Sequence, residues 1–172
     1  NQGTSISGKL PNIKINKASG TLSLYGSIGM GGSTSLEYVA GTISAATSRL
    51  VCYYNNTLYN NSGGTMTLSK LDWIGSGGTH TVTGKIMVTD TFSTSGTGNC
   101  VINGDTLELQ GNMVWNNTSS ASGGNVVYKF SGSAEQIISG AVTVPLSKVR
   151  LKKSSGDISL LTPVNITTDL KF

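Results

Sequence analysis

Acid–base chemistry in this chain rests on eight carboxylates (Glu37, Asp72, Asp90, Asp105, Glu108, Glu135, Asp157 and Asp169) and one histidine, His80. Cutting a glycosidic bond takes two or three carboxylates converging on that bond. Here the acids are spread thinly along the chain, mostly in turn-rich segments. Asp105 and Glu108 are the closest pair that could share a face, and turn and strand-edge duties account for both. There is no G-x-S-x-G, no phosphate-binding loop and no dinucleotide fingerprint. His80 has no carboxylate or cysteine beside it and reads as an inward core or rim residue. Cys52 and Cys100 are the only cysteines, with no CxxC or Cys/His metal spacing. A Cys52–Cys100 disulfide and a pair of buried free thiols both remain open. The expectation is a chain that is not an enzyme and takes no metal or cofactor.

Binding chemistry has more to draw on. Trp73, Trp115, Tyr25, Tyr53, Tyr59 and Tyr128 could each offer a ring to the apolar face of a sugar. Trp73 falls in an alternating segment and reads as core. Trp115 lies beside Asn116 and Asn117, and these three form the candidate glycan contact. The run Thr79-His80-Thr81-Val82-Thr83 would give a short hydroxyl row of the kind ice-binding solenoids repeat. Thr21-Ser23-Tyr25 and Asp157-Ser159-Leu161 do not continue it. Net charge is +4 with a pI near 9.1, but the basic residues are dispersed. Their one cluster, Lys148, Arg150, Lys152 and Lys153, reads as a solvated rim and not a nucleic-acid patch. Asn55, Asn60, Asn116, Asn117 and Asn165 sit in N-x-Ser/Thr contexts that an Asn-rich chain produces incidentally.

The elements that must hold these residues are strands. No window carries an i, i+3, i+4, i+7 apolar stripe, and Thr, Ser, Asn and Gly are poor helix formers. Alternation recurs instead, as in Ile13-Lys14-Ile15, Ile86-Met87-Val88 and Leu107-Glu108-Leu109. Short strands are separated by Gly, Asn or Ser-Gly corners, with Gly20, Gly78 and Gly156 assigned the positive φ that sharp corners need. Three stretches (Leu10–Met30, Leu68–Val88 and Leu146–Ile166) align without gaps, offset by 58 and then 78 residues. The spacing of Ile13 and Leu36 predicts coils of about 23 residues. The fold expected is therefore all-β, a right-handed parallel β-helix of about seven short coils. A β-sandwich is the alternative, and Asn103-Gly104 is the one clear hairpin signature for it. With 37% apolar and 12% charged residues, the 172-residue chain reads as one solenoid domain, residues 1–172. Both ends look cut, as in a segment excised from a longer repetitive protein. No apolar run approaches the ~18 residues of a membrane span.

The segment Val127 to Gly140 carries F-x-G-x-x-x-Q-x-I-x-G in Phe130, Gly132, Gln136, Ile138 and Gly140. An L-x-x-(V/I)-x-(I/L)-x-x-x-x-G segment follows it. This combination resembles the repetitive parallel β-helix regions of secreted and surface proteins of Bacteroidota, commonly exported by the type IX secretion system. The similarity runs across Tyr128–Phe172 and more weakly through the two earlier stretches. The Q-x-I element is missing after Tyr54, where Asn55 to Ser62 reads as a looser loop. The resemblance implies an extracellular, bacterial cell-surface location, a role as adhesin stalk or fibre segment, and no cofactor. The partners expected are neighbouring repeats of the same or identical chains and, beyond them, surface glycans or a host or substrate surface, with no nucleic acid and no membrane span. The resemblance also marks Thr106, in Asp105-Thr106-Leu107, as a candidate O-glycosylation site. The alternative function is a carbohydrate-binding or carbohydrate-cleaving β-helix of the tail-spike kind, with ice binding behind it.

Overall fold

A computed structural model describes residues 9–45, 47–75, 77–118 and 124–172; the chain start at Asn1 and Ser119 of the Asn117 sequon lie outside these. Every strand pairing is parallel. The chain winds as a β-solenoid of about seven coils, with no helix among the described residues. Among the described residues fourteen strands make three ladders. The first ladder holds the start of β1 (Ile13–Ser23) and β3 (Ser35–Ser44), β5 (Thr57–Asn60), the first third of β7 (Gly78–Gly96) and the start of β8 (Cys100–Leu109). The second ladder takes the later halves of β1, β3 and β8, the middle of β7, the start of β6 (Thr65–Ile74), β10 (Val127–Gly132) and the later halves of β12 (Val144–Lys153) and β14 (Val164–Lys171). The third holds β2 (Ser27–Met30), β4 (Arg49–Tyr53), the end of β6, the end of β7, β9 (Asn112–Asn117), β11 (Gln136–Gly140) and β13 (Ile158–Leu160).

Alternation turns every second side chain inward, and stacking then piles like on like. On the third ladder Ile28, Leu50, Leu71, Phe92, Met113, Ile138 and Leu160 are successive partners. On the second, Met66, Ile86, Leu107, Tyr128, Val149 and Leu170 make the equivalent row. Ile13, Leu36, Leu58 and Val82 make the row on the first. A coil is therefore 20 to 25 residues, as from Met66 to Ile86 and from Met113 to Ile138.

Three expectations need correcting against this register. The three gap-free stretches are not stacked copies: Ile13 lies on the first ladder, Leu71 on the third and Val149 on the second. Each ladder poses the same inward–outward problem, so the stretches resemble one another while sitting out of phase. The segment after Tyr54 is no loose loop, because Thr57–Asn60 is a strand in the stack. Asn103-Gly104 makes no hairpin either. It is a corner inside β8, with φ +117 at Gly104, and the sandwich alternative falls with it.

Inward carboxamides tie successive coils at the corners. The Asn56 side-chain nitrogen donates to the carbonyl oxygens of Gly31 and Thr34, and that of Asn60 to those of Gly64 and Lys85. Gln136 donates to the Leu109 and Gly111 carbonyls at 2.9 and 2.8 Å. The Gly31, Gly64 and Gly111 carbonyls lie outside the strands, and buried they would cost about 1–3 kcal/mol each if left bare. That requirement gives the motif glutamine at Gln136 its physical role.

Candidate functional site

The carboxylates act as staples between coils. Asp72, nearly buried, accepts from Arg49 of the coil before and Ser93 of the coil after. Glu108 accepts from Lys129 at 2.9 Å and Ser131 at 2.6 Å. Burial alone would raise the Glu108 pKa, but these hydrogen bonds outweigh it and hold the carboxyl below its usual range. Hydrogen bonds from Lys14 and Asn61 lower Glu37. Asp90 pairs with Lys70, and Asp169 with Arg150 and Lys171. Asp105 accepts from the Gly84 N–H, away from the partners of Glu108. Among the described residues no group of three or more His, Cys, Asp or Glu side chains could hold a metal ion.

The indole of Trp115 is fully buried, which corrects its assignment as a sugar contact. Strand β9 alternates Met113, Trp115 and Asn117 inward with Asn112, Val114 and Asn116 outward, so only Asn116 of the trio faces solvent. The row through Trp115 runs Met30, Cys52, Trp73, Thr94, Trp115, Gly140. Each indole lies between smaller neighbours, the alternation that lets large side chains fill a stack without overpacking. Trp73 is core, and His80 is buried against it.

Cys52 and Cys100 are free and buried in different ladders, so the disulfide alternative is excluded. Thr106 is half-buried in β8 between Lys85 and Val127. Gly20 and Gly156 have φ +80 and +69 at their turns, but in the middle turn the positive φ belongs to Gly77, at +99. Gly78 opens β7 and is held to glycine by crowding: a Cβ there would come within 2.7 Å of the Tyr54 backbone. The basic cluster is spread outward, with Arg150 paired to Asp169 and Lys153 reaching the Ala134 carbonyl.

Among the described residues, two of the concave features bear on binding. At the end of the stack nearest Phe172 the core opens into an apolar recess of about 280 Å³ lined by Phe130, Val149, Leu160, Ile166 and Leu170, among others. On the outer side of the first ladder a polar groove of about 350 Å³ is lined by Asn12, Ser33, Thr34, Ser35, Asn55, Thr57 and Tyr59. The sequence signal for this groove was present but dispersed: outward residues of three successive coils, 20 or more positions apart, meet only once the register is known. No protein-family model, curated protein or solved structure matches this chain.

Proposed function

We propose that this solenoid is a stiff structural module, a stalk or fibre segment of a secreted or cell-surface protein, and that its role is to hold and display. The carrying observation is the unbroken parallel stack of about seven coils, whose inward rows continue to the Phe172 end. At about 4.8 Å per coil such a stack spans roughly 35 Å. Load along its axis is shared by backbone ladders and aliphatic rows at every coil. The apolar recess at the open end accepts a further coil of the same pattern, from the same or an identical chain, because an inward row ending in half-exposed Leu160 and Leu170 is completed by another inward row.

Pulling the chain end to end by force spectroscopy tests the mechanical role. A load-bearing stalk yields in steps of about 75 Å of contour, one 21-residue coil each. A featureless extension at negligible force would overturn it. Antibody labelling of intact cells carrying the protein tests the location, and signal only after lysis would overturn a surface role.

A further inference from the structure

We propose a binding site for an uncharged oligosaccharide in the outer groove of the first ladder, centred on Tyr59. It is a function beyond display by the rod and does not depend on it. Register brings the site together. Ser35, Thr57, Thr81 and Asn103 are successive outward partners, with Tyr59 between Glu37 and Thr83 on the adjoining row. The result is a grid of hydroxyls and carboxamides, about 4.8 Å apart between coils and about 6.7 Å along each strand.

Three features select the ligand. First, no ionised side chain lines the groove. Glu37, the register partner of Tyr59, is engaged by Lys14 at 3.1 Å and by Asn61 at 3.0 Å. An anionic or cationic ligand therefore finds no counter-charge, whereas a neutral one loses nothing by entering. Second, the donors are fixed in place. The Asn12 side-chain oxygen accepts the Ser35 N–H at 2.9 Å and the Asn55 oxygen accepts the Thr79 N–H at 2.7 Å. Each carboxamide is thus locked by its oxygen, and its NH2 group has no partner among the described residues. Donors held this way bind sugar hydroxyls with little further loss of rotamer freedom. Third, Tyr59 is 38% exposed on this otherwise polar surface. A pyranose has one apolar C–H face and a polar rim, and an exposed ring beside fixed amides and hydroxyls matches both.

A flat threonine grid could also order ice, but the Tyr59 ring and the concavity break the plane that an ice lattice needs. The experiment titrates the isotope-labelled chain with cello-, manno- and chito-oligosaccharides, and with a sialylated oligosaccharide as the charged comparison. Support would be saturable shifts of the Asn12 and Asn55 side-chain amides with at least one neutral series. Tyr59→Ala should then weaken binding about tenfold or more, with Tyr59→Phe close to the parent. Shift mapping on the unaltered chain carries the result even if a variant folds poorly. No shift with any neutral series, preference for the sialylated ligand, binding undiminished in a folded Tyr59→Ala, or thermal hysteresis without sugar binding would each overturn the site.

Discussion

The rings of Trp73 and His80 stack face to face, 4.9 Å between centroids and 8° from parallel, while Phe92 meets the indole edge-on at 5.1 Å. Among the described residues neither imidazole nitrogen has a hydrogen-bond partner. Burial disfavours the charged ring and pushes the His80 pKa from 6.5 down to about 4. The folded chain thus keeps His80 neutral where the unfolded chain would protonate it. Stability should be level above pH 6.5 and fall as pH drops toward 4, by up to about 3 kcal/mol at about 1.4 kcal/mol per unit. Carboxylates with lowered pKa, Glu37 and Glu108, add their own losses only below their ordinary value of 4.5. The window between 6.5 and 4.5 therefore isolates His80. Thermal melts should show a decline there for the parent and a flat line for His80→Phe; equal slopes would refute the account.

The thiols should be silent in the folded chain. Burial raises both Cys52 and Cys100 from 9.0 to about 12, and the Cys52 sulfur lies against the Trp73 indole. A thiolate-dependent reagent at pH 8 meets neither accessible sulfur nor thiolate. A disulfide-exchange titration should count no fast thiols in the native chain and two in guanidinium. One rapidly reacting thiol before denaturation would place a cysteine at the surface.

Glycines with the same backbone sign should differ sharply in tolerance. Gly104 has φ +117, and a Cβ there would lie 1.8 Å from the Val82 carbonyl oxygen of the coil before. Gly63 has φ +76 with nothing within 4 Å. Gly63→Ala carries only the left-handed backbone penalty, about 1 kcal/mol. Gly104→Ala adds a clash of backbone with backbone and should cost at least about 3 kcal/mol. Chemical denaturation of the two variants side by side checks this, and equal losses would mean that coil-to-coil contact at the corner does not select glycine.

The coil architecture was legible because inward aliphatics at Ile13 and Leu36, Leu50 and Leu71, or Ile86 and Leu107 leave a period-two imprint that nothing else in the chain imitates. Phase was not. The three ladders make identical demands on a local stretch, so Leu68–Val88 aligns with Leu10–Met30 although their strands lie on different sides. Polarity also misled. Asn56, Asn60 and Asn117 point inward, and an asparagine pair beside Trp115 suggested a wet surface where the structure buries the indole. The groove at Tyr59 escaped notice because its members share no local motif. They are neighbours only through the register.

That register makes a deletion experiment decisive. Ile86 partners Leu107, Phe92 partners Met113 and Trp73 reaches Trp115 through Thr94. Removing residues 86–106 excises one 21-residue coil and sets Leu107 on Met66, the seat Ile86 now occupies. Every remaining inward residue keeps its face, and the loss is one layer of burial with two old interfaces replaced by one new one. The shortened chain should still melt cooperatively, within about 10 °C of the parent. Removing residues 86–95 takes about half a coil, its second- and third-ladder strands, and joins the first-to-second corner at Lys85 directly to the third-to-first corner at Gly96. Downstream inward rows then meet the wrong face, and the same 180° logic that forbids a one-residue strand slip applies to the whole array. That variant should lose cooperative unfolding altogether. If the half-coil deletion melts as sharply as the full-coil one, the chain is not held together by stacking like on like.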